Sequence, residues 1–133
     1  MTESTTRPGI DPTIKSLMEA MPLDFSIDDG PEVARERLRA VKPPASMLPQ
    51  MRIEERVIGH GGVDDIPVRI YWPPIEQHDG LPIVVFYHGG GWCLGDLDTH
   101  DHVARAHAVG ADAIVVSVDY RLAPEHPYPQ GVQ

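Results

Sequence analysis

Five consecutive residues carry the sharpest chemistry in this chain. His88-Gly89-Gly90-Gly91-Trp92 directly follows the apolar run Ile83-Val84-Val85-Phe86-Tyr87. Three glycines in a row let the backbone take conformations closed to other residues and let a bound molecule approach the main-chain amides. Amides so presented can point at the oxyanion formed when a nucleophile attacks an ester carbonyl; losing one good oxyanion donor costs on the order of 10²–10³ in rate. The competing readings are a plain turn and a phosphate-binding loop. A dinucleotide loop needs G-x-G-x-x-G opening straight into a helix, and a P-loop needs G-K-[ST]. Neither is present, and the next helical pattern begins several residues later.

The elements that must position this loop are legible in the periodicity. Residues 83–87 are apolar on both faces, as expected of a strand buried in a parallel sheet. The glycine loop then sits at the carboxyl end of that strand, where open α/β sheets bind ligands. Asp98 or Thr99 is expected to cap a helix running to about Val109, with Gly110 as its stop. Ala113-Ile114-Val115-Val116-Ser117-Val118 reads as a second doubly buried strand, which completes a βαβ unit. Upstream, Met51, Ile53, Glu55 and Val57 alternate with Arg52, Glu54 and Arg56, predicting an exposed strand near a sheet edge. Gly61-Gly62 and Asp64-Asp65 supply turn chemistry. Ile66, Val68, Ile70 and Trp72 then oppose Pro67, Arg69 and Tyr71 in a further strand that Pro73-Pro74 stops. Pro67 lacks a ladder donor, which places that stretch at an edge or irregularity.

Two helices precede the sheet. Asp11 caps the first, Pro12 suits its first position, Ile14, Leu17, Met18 and Met21 share a face, and Pro22 ends it. Asp29-Gly30-Pro31-Glu32 opens the second, which gathers Val33, Ala34, Leu38 and Val41 on one broad face and closes at Pro43-Pro44. Its Arg35, Glu36, Arg37 and Arg39 read as a solvated face.

Composition narrows the classes of function. The 133 residues are 41% hydrophobic and 23% charged, as in globular proteins. Twenty acidic against eleven basic residues give a net charge of -9, which repels nucleic acid and anionic lipid; neither is expected as a partner. A single cysteine, Cys93, forms no internal disulfide, and the polar N-terminus has no apolar signal core. Apolar runs fall far short of the ~20 residues a membrane span needs, so a cytoplasmic protein is expected. Among seven histidines, His100, His102 and His107 invite a metal reading. Only His100 and His107 share a helix face, two turns apart, so no metal site is expected, and no cofactor. Cys93 reads as a small buried residue.

Three blocks in order now make the pattern specific: His88-Gly89-Gly90-Gly91-Trp92, then Gly95-Asp96-Leu97-Asp98-Thr99-His100-Asp101, then Asp119-Tyr120-Arg121-Leu122-Ala123-Pro124-Glu125-His126-Pro127-Tyr128-Pro129. Together they resemble the hormone-sensitive-lipase-like esterases of the α/β-hydrolase fold, strongly over residues 81–129. The two leading helices are similar to that family's cap elements. The resemblance implies an α/β fold: residues 1–48 as N-terminal cap helices, and residues 49–133 as the first half of the hydrolase core, antiparallel edge strands followed by parallel βαβ. It further implies that Gly90 and Gly91 supply the oxyanion-hole amides, that Gly89 shapes the turn, and that His88 braces the loop by hydrogen bonding. Trp92 borders the substrate cleft or packs in the core. Asp119, Arg121 and Glu125 hold the neighbouring loop, and His100 with Asp101 fixes the loop-to-helix junction.

The nucleophile of that family occupies a G-x-S-x-G elbow, followed in order by an acid and a base. Ser4, Ser16, Ser26, Ser46 and Ser117 all lack that setting, so nucleophile, acid and base are expected outside these residues. The resemblance implies a carboxylic-ester hydrolase acting on a small-molecule ester, with this chain a portion that is inactive alone. The alternatives are a non-enzymatic small-molecule receptor on the same fold and an inactive truncated product.

Overall fold

A computed structural model describes residues 9–20, 29–60 and 63–132. Helix α1, Pro12–Ala20, begins as expected: the Asp11 carboxylate accepts the Thr13 amide at 2.8 Å. Its apolar stripe covers nothing described, since Ile14 and Leu17 are both exposed. Met21 and Pro22, the expected end of that helix, lie outside the described residues, as does the Met18 side chain.

Helix α2 spans Gly30–Ala40 with Asp29 at the N-cap position. The Asp29 carboxylate makes no cap hydrogen bond and pairs instead with Arg37 at 2.7 Å. Ala34 is the buried residue of the expected apolar face. The charged face is not simply solvated: Arg35 bonds Cys93 and Glu125, and Arg39 bonds Asp96. A short 3₁₀ turn, Ala45–Met47, leads to the sheet.

Strands β1 (Arg52–His60), β2 (Val63–Trp72), β3 (Ile83–Tyr87) and β4 (Ile114–Val118) form one mixed sheet in the order β1-β2-β4-β3. β1 and β2 pair antiparallel, β2 and β4 pair antiparallel, and β3 runs parallel to β4 through the crossover helix α3, Asp101–Ala111. β1 is an edge strand, as its alternating charge predicts. Gly61 and Gly62 of the expected turn lie outside the described residues. β2 is interior, yet Pro67 fits because the pairing of β4 with β2 ends at Val68↔Val118. The Pro67 carbonyl accepts the Asp119 amide at 3.0 Å, and no donor is needed in return.

α3 covers one face of the sheet. Its Ala104 and Ala108, one turn apart and fully buried, let the helix approach Tyr71 and Val115, with Met51, Ile53 and Phe86 packed around them. Two sequence expectations about this unit are corrected. The helix starts at Asp101 rather than after Asp98 or Thr99, because the Asp96 carboxylate takes the amides of Asp98 (3.1 Å) and Thr99 (2.8 Å) and closes a separate turn first. Gly110 lies inside the helix; Asp112, at φ 46°, provides the left-handed C-cap, a conformation that Asp tolerates. Within these 133 residues β3 forms the other edge of the sheet, and α3 packs on the face that carries Phe86, so Ile83, Val85 and Tyr87 on the other face are more than half exposed.

Candidate active site

The glycine loop leaves β3 and turns sharply. Gly90 (φ 133°), Gly91 (φ 61°) and Trp92 (φ 59°) all lie at positive φ. The Gly90 carbonyl accepts the amides of Cys93 (3.1 Å) and Leu94 (2.9 Å), and a Cβ on Gly90 would fall 2.1 Å from the Leu94 oxygen. Glycine is therefore required at position 90 by contact and favoured at 91 by conformation alone, since a Cβ there meets nothing. Gly89 lies outside the left-handed region, and a Cβ on it would meet nothing within 4 Å. Its contribution is its carbonyl. Among the described residues, no acceptor takes the amides of Gly90 or Gly91.

His88 anchors the loop from behind. It is buried, its Nδ1 lies 2.9 Å from the Gly89 oxygen, and its ring is stacked between Tyr120 (centroids 4.4 Å) and His100 (5.1 Å). Donation to the Gly89 carbonyl requires a proton on Nδ1, and Nε2 is buried with no partner among the described residues. The Tyr120 hydroxyl donates to the His88 carbonyl at 2.7 Å. Burial lowers the pKa of His100, with His88 and His102 adding to the effect. His100 occupies the N-cap position of α3 with its Nδ1 3.1 Å from the Thr99 hydroxyl, while Asp101 ties the helix to the sheet.

Trp92 is not a core residue: it is 67% exposed and stands on the rim of a cleft of about 630 Å³. Gly90, Gly91, Tyr120 and the apolar side chains Ile66, Val118 and Val132 share that lining. The size suits a small-molecule site. Holding a non-glycine residue in the left-handed region costs roughly 1–2 kcal/mol, and such conformations persist where the surroundings over-determine them. Here the Ala123 amide donates to the Trp92 carbonyl at 2.8 Å, and Arg35 Nε donates to the next carbonyl, Cys93, also at 2.8 Å.

Arg35 is the residue that sequence reasoning missed. Besides Cys93, it donates to the Ala123 carbonyl (2.9 Å) and forms a two-pronged pair with Glu125 (Nη1–Oε1 2.7 Å, Nη2–Oε2 2.9 Å). The hydrogen bonds from Arg35 pull the Glu125 carboxyl down to about 2, and Glu125 in turn raises the guanidinium pKa. One turn on, Arg39 bonds Asp96 at 2.8 Å. Burial pushes the Asp96 carboxyl up, but Arg39 and the Thr99 amide outweigh it and its pKa is lowered. The available signal was electrostatic. Two arginines at i and i+4 repel on a shared helix face, so each needs a partner elsewhere. A second network joins sheet to helix: Arg69 bonds Glu55 (2.8 Å) and Asp98 (2.9 Å), Tyr71 donates to Asp101 (2.8 Å), and Arg105 donates to the other Asp101 oxygen (2.7 Å).

Ser117 is buried in β4, as its flanking valines predict. Among the described residues, no three His, Cys, Asp or Glu converge as metal ligands, and no helix is long and apolar enough to cross a membrane.

Comparison with known proteins agrees with this geometry. Residues 84–133 match a family model described as alpha/beta hydrolase fold. The chain is 65% identical over 133 residues to Carboxylesterase NlhH of Mycobacterium tuberculosis, covering 99% of this chain and 41% of that protein. It is 51% identical to Esterase LipI of the same organism, covering 96% and 39% respectively. Among solved structures, the hyperthermophilic esterase from Pyrobaculum calidifontis superposes with a TM-score of 0.73 at 37% identity, over 92% of this chain and 40% of that one. The chain thus spans about two-fifths of the length of the relatives it matches.

Proposed function

Because the chain belongs to the hormone-sensitive-lipase-like esterase family of the α/β-hydrolase fold, we propose that the whole protein hydrolyses small carboxylic esters through a serine acyl-enzyme, with this segment supplying the oxyanion hole. The observation that carries the reading is local. Gly90 and Gly91 line the cleft while their amides find no acceptor among the described residues. Donors held in place before the reaction stabilise a developing oxyanion without reorganising, and this is commonly the largest electrostatic contribution to acyl transfer. His88 braces the loop through the Gly89 carbonyl, and Trp92 forms the exposed wall of the cleft. The apolar lining from Ile66, Val118 and Val132 suits an apolar acyl or alcohol group.

The nucleophile, acid and base lie outside these 133 residues in this reading, since no serine here occupies a G-x-S-x-G setting. Residues 1–48 act as a cap element, tied to the core of residues 49–133 by Arg35 and Arg39. The acidic composition and single cysteine support a cytoplasmic protein without nucleic-acid or membrane partners.

The test is turnover of a short-chain p-nitrophenyl ester by the purified full-length protein, with and without a serine-directed phosphonate. Turnover abolished by one equivalent of phosphonate is the expected result. Ester binding without turnover would replace hydrolysis with a receptor function.

A further inference from the structure

The glycine loop is held in part by a helix outside the cleft lining, and we propose that Arg35 on α2 is the positioning residue that couples docking of that helix to the orientation of the Gly90 and Gly91 amides. The inference rests on the oxyanion-hole reading of the loop. Arg35 closes a circuit through three segments of chain. Its Nε holds the Cys93 carbonyl, its Nη2 holds the Ala123 carbonyl, and the Ala123 amide holds the Trp92 carbonyl. Two successive carbonyls of the loop, at Trp92 and Cys93, are thereby held within one hydrogen-bonded circuit. Glu125 grips both terminal nitrogens and aligns the guanidinium for the other contacts. Only a planar fork of several donors can serve these acceptors at once; a lysine ammonium carries the charge without the geometry.

The strain at Trp92 explains why such a clamp is needed. At φ 59° the residue is held against its own preference, and release would let it return to negative φ by rotating the peptide planes on either side. One of those planes carries the Gly91 carbonyl and the Trp92 N–H, and it adjoins the plane that carries the Gly91 N–H, so rotation at Trp92 would carry the Gly91 amide out of its setting through Gly91 itself. Arg39 supplies an internal control. It also ties α2 to the core, through Asp96, but makes no contact with the carbonyls of Trp92, Cys93 or Ala123.

The test uses the full-length protein with Arg35→Lys, Arg35→Met, Glu125→Gln and the control Arg39→Met. Amide hydrogen exchange over residues 88–95 is read together with kcat and KM on p-nitrophenyl acetate. Both Arg35 variants are expected to speed exchange of the loop amides about tenfold and to lower kcat about 10–100-fold with KM within about twofold, the pattern of a displaced catalytic group. Glu125→Gln should fall between, because Arg35 keeps its two carbonyls. Arg39→Met should leave loop exchange and kcat within about twofold of wild type. Unchanged loop exchange in Arg35→Lys, or equal effects in Arg35→Met and Arg39→Met, would overturn the proposal in favour of simple helix docking. A wild-type protein without ester turnover whose loop still loosens in Arg35→Lys would keep the clamp and remove the esterase reading. Normal turnover with no loop response would do the reverse.

Discussion

Gly95 passes so close to His88 that a Cβ on it would lie 2.4 Å from the imidazole Nδ1 and 2.8 Å from the Gly89 oxygen, the two atoms that hydrogen-bond each other. Gly95 also sits at φ 93°, which a side chain resists. Gly95→Ala should therefore push the ring out of its stack and cost about 2–3 kcal/mol, the range of overpacking. Urea denaturation of the full-length protein would measure it, and a loss under about 0.5 kcal/mol would mean that the loop yields without strain.

The three glycines of the loop should not respond alike. Gly89→Ala introduces a methyl into open space at an ordinary φ, so its stability should stay within about 0.5 kcal/mol of wild type. Gly90→Ala drives a Cβ into the Leu94 carbonyl and should cost several times more, of order 2–4 kcal/mol. Equal melting temperatures for the two variants would contradict the loop geometry.

The Arg35–Glu125 pair predicts a pH dependence. Glu125 loses its proton near 2 in the folded protein instead of the ordinary 4.5, so the unfolded chain binds more protons between those values. Its contribution to stability is complete above the ordinary value, shrinks as the pH falls, and is gone below about 2. Comparing urea midpoints of wild type and Glu125→Gln from about pH 6 down to about pH 2.5 should show the gap between them closing. A constant gap would mean that the pair does not form in solution.

Tyr71 is fully buried, and its hydroxyl donates to Asp101 at the start of α3. Burial, followed by the hydrogen bond to Asp101, raises the phenol pKa. Tyr71→Phe keeps the ring and removes one charge-assisted bond, while Asp101 retains Arg105. The expected loss is about 1–2 kcal/mol without a change in KM, readable by denaturation and ester kinetics together.

A polypeptide of these 133 residues alone is expected to show no ester turnover sensitive to a serine-directed phosphonate. Its exposed β3 edge, with Ile83, Val85 and Tyr87 uncovered, should promote association, which light scattering would detect. Phosphonate-sensitive turnover by a monodisperse preparation would place a nucleophile within this segment.

What the sequence by itself determined was whatever depends on neighbours along the chain. The alternation in residues 51–57, the apolar runs that became β3 and β4, and a glycine triplet at a strand end follow from local sterics and solvation. They were legible together with the family whose motifs they carry. The tertiary structure decided what depends on partners far away. Arg35 reads as a solvated charge on a helix face until Glu125, ninety positions on, meets it. Trp92 could have packed in the core. Its strained, exposed place on the cleft rim is imposed by Ala123 and held through Arg35, since local preference alone would never choose a left-handed tryptophan.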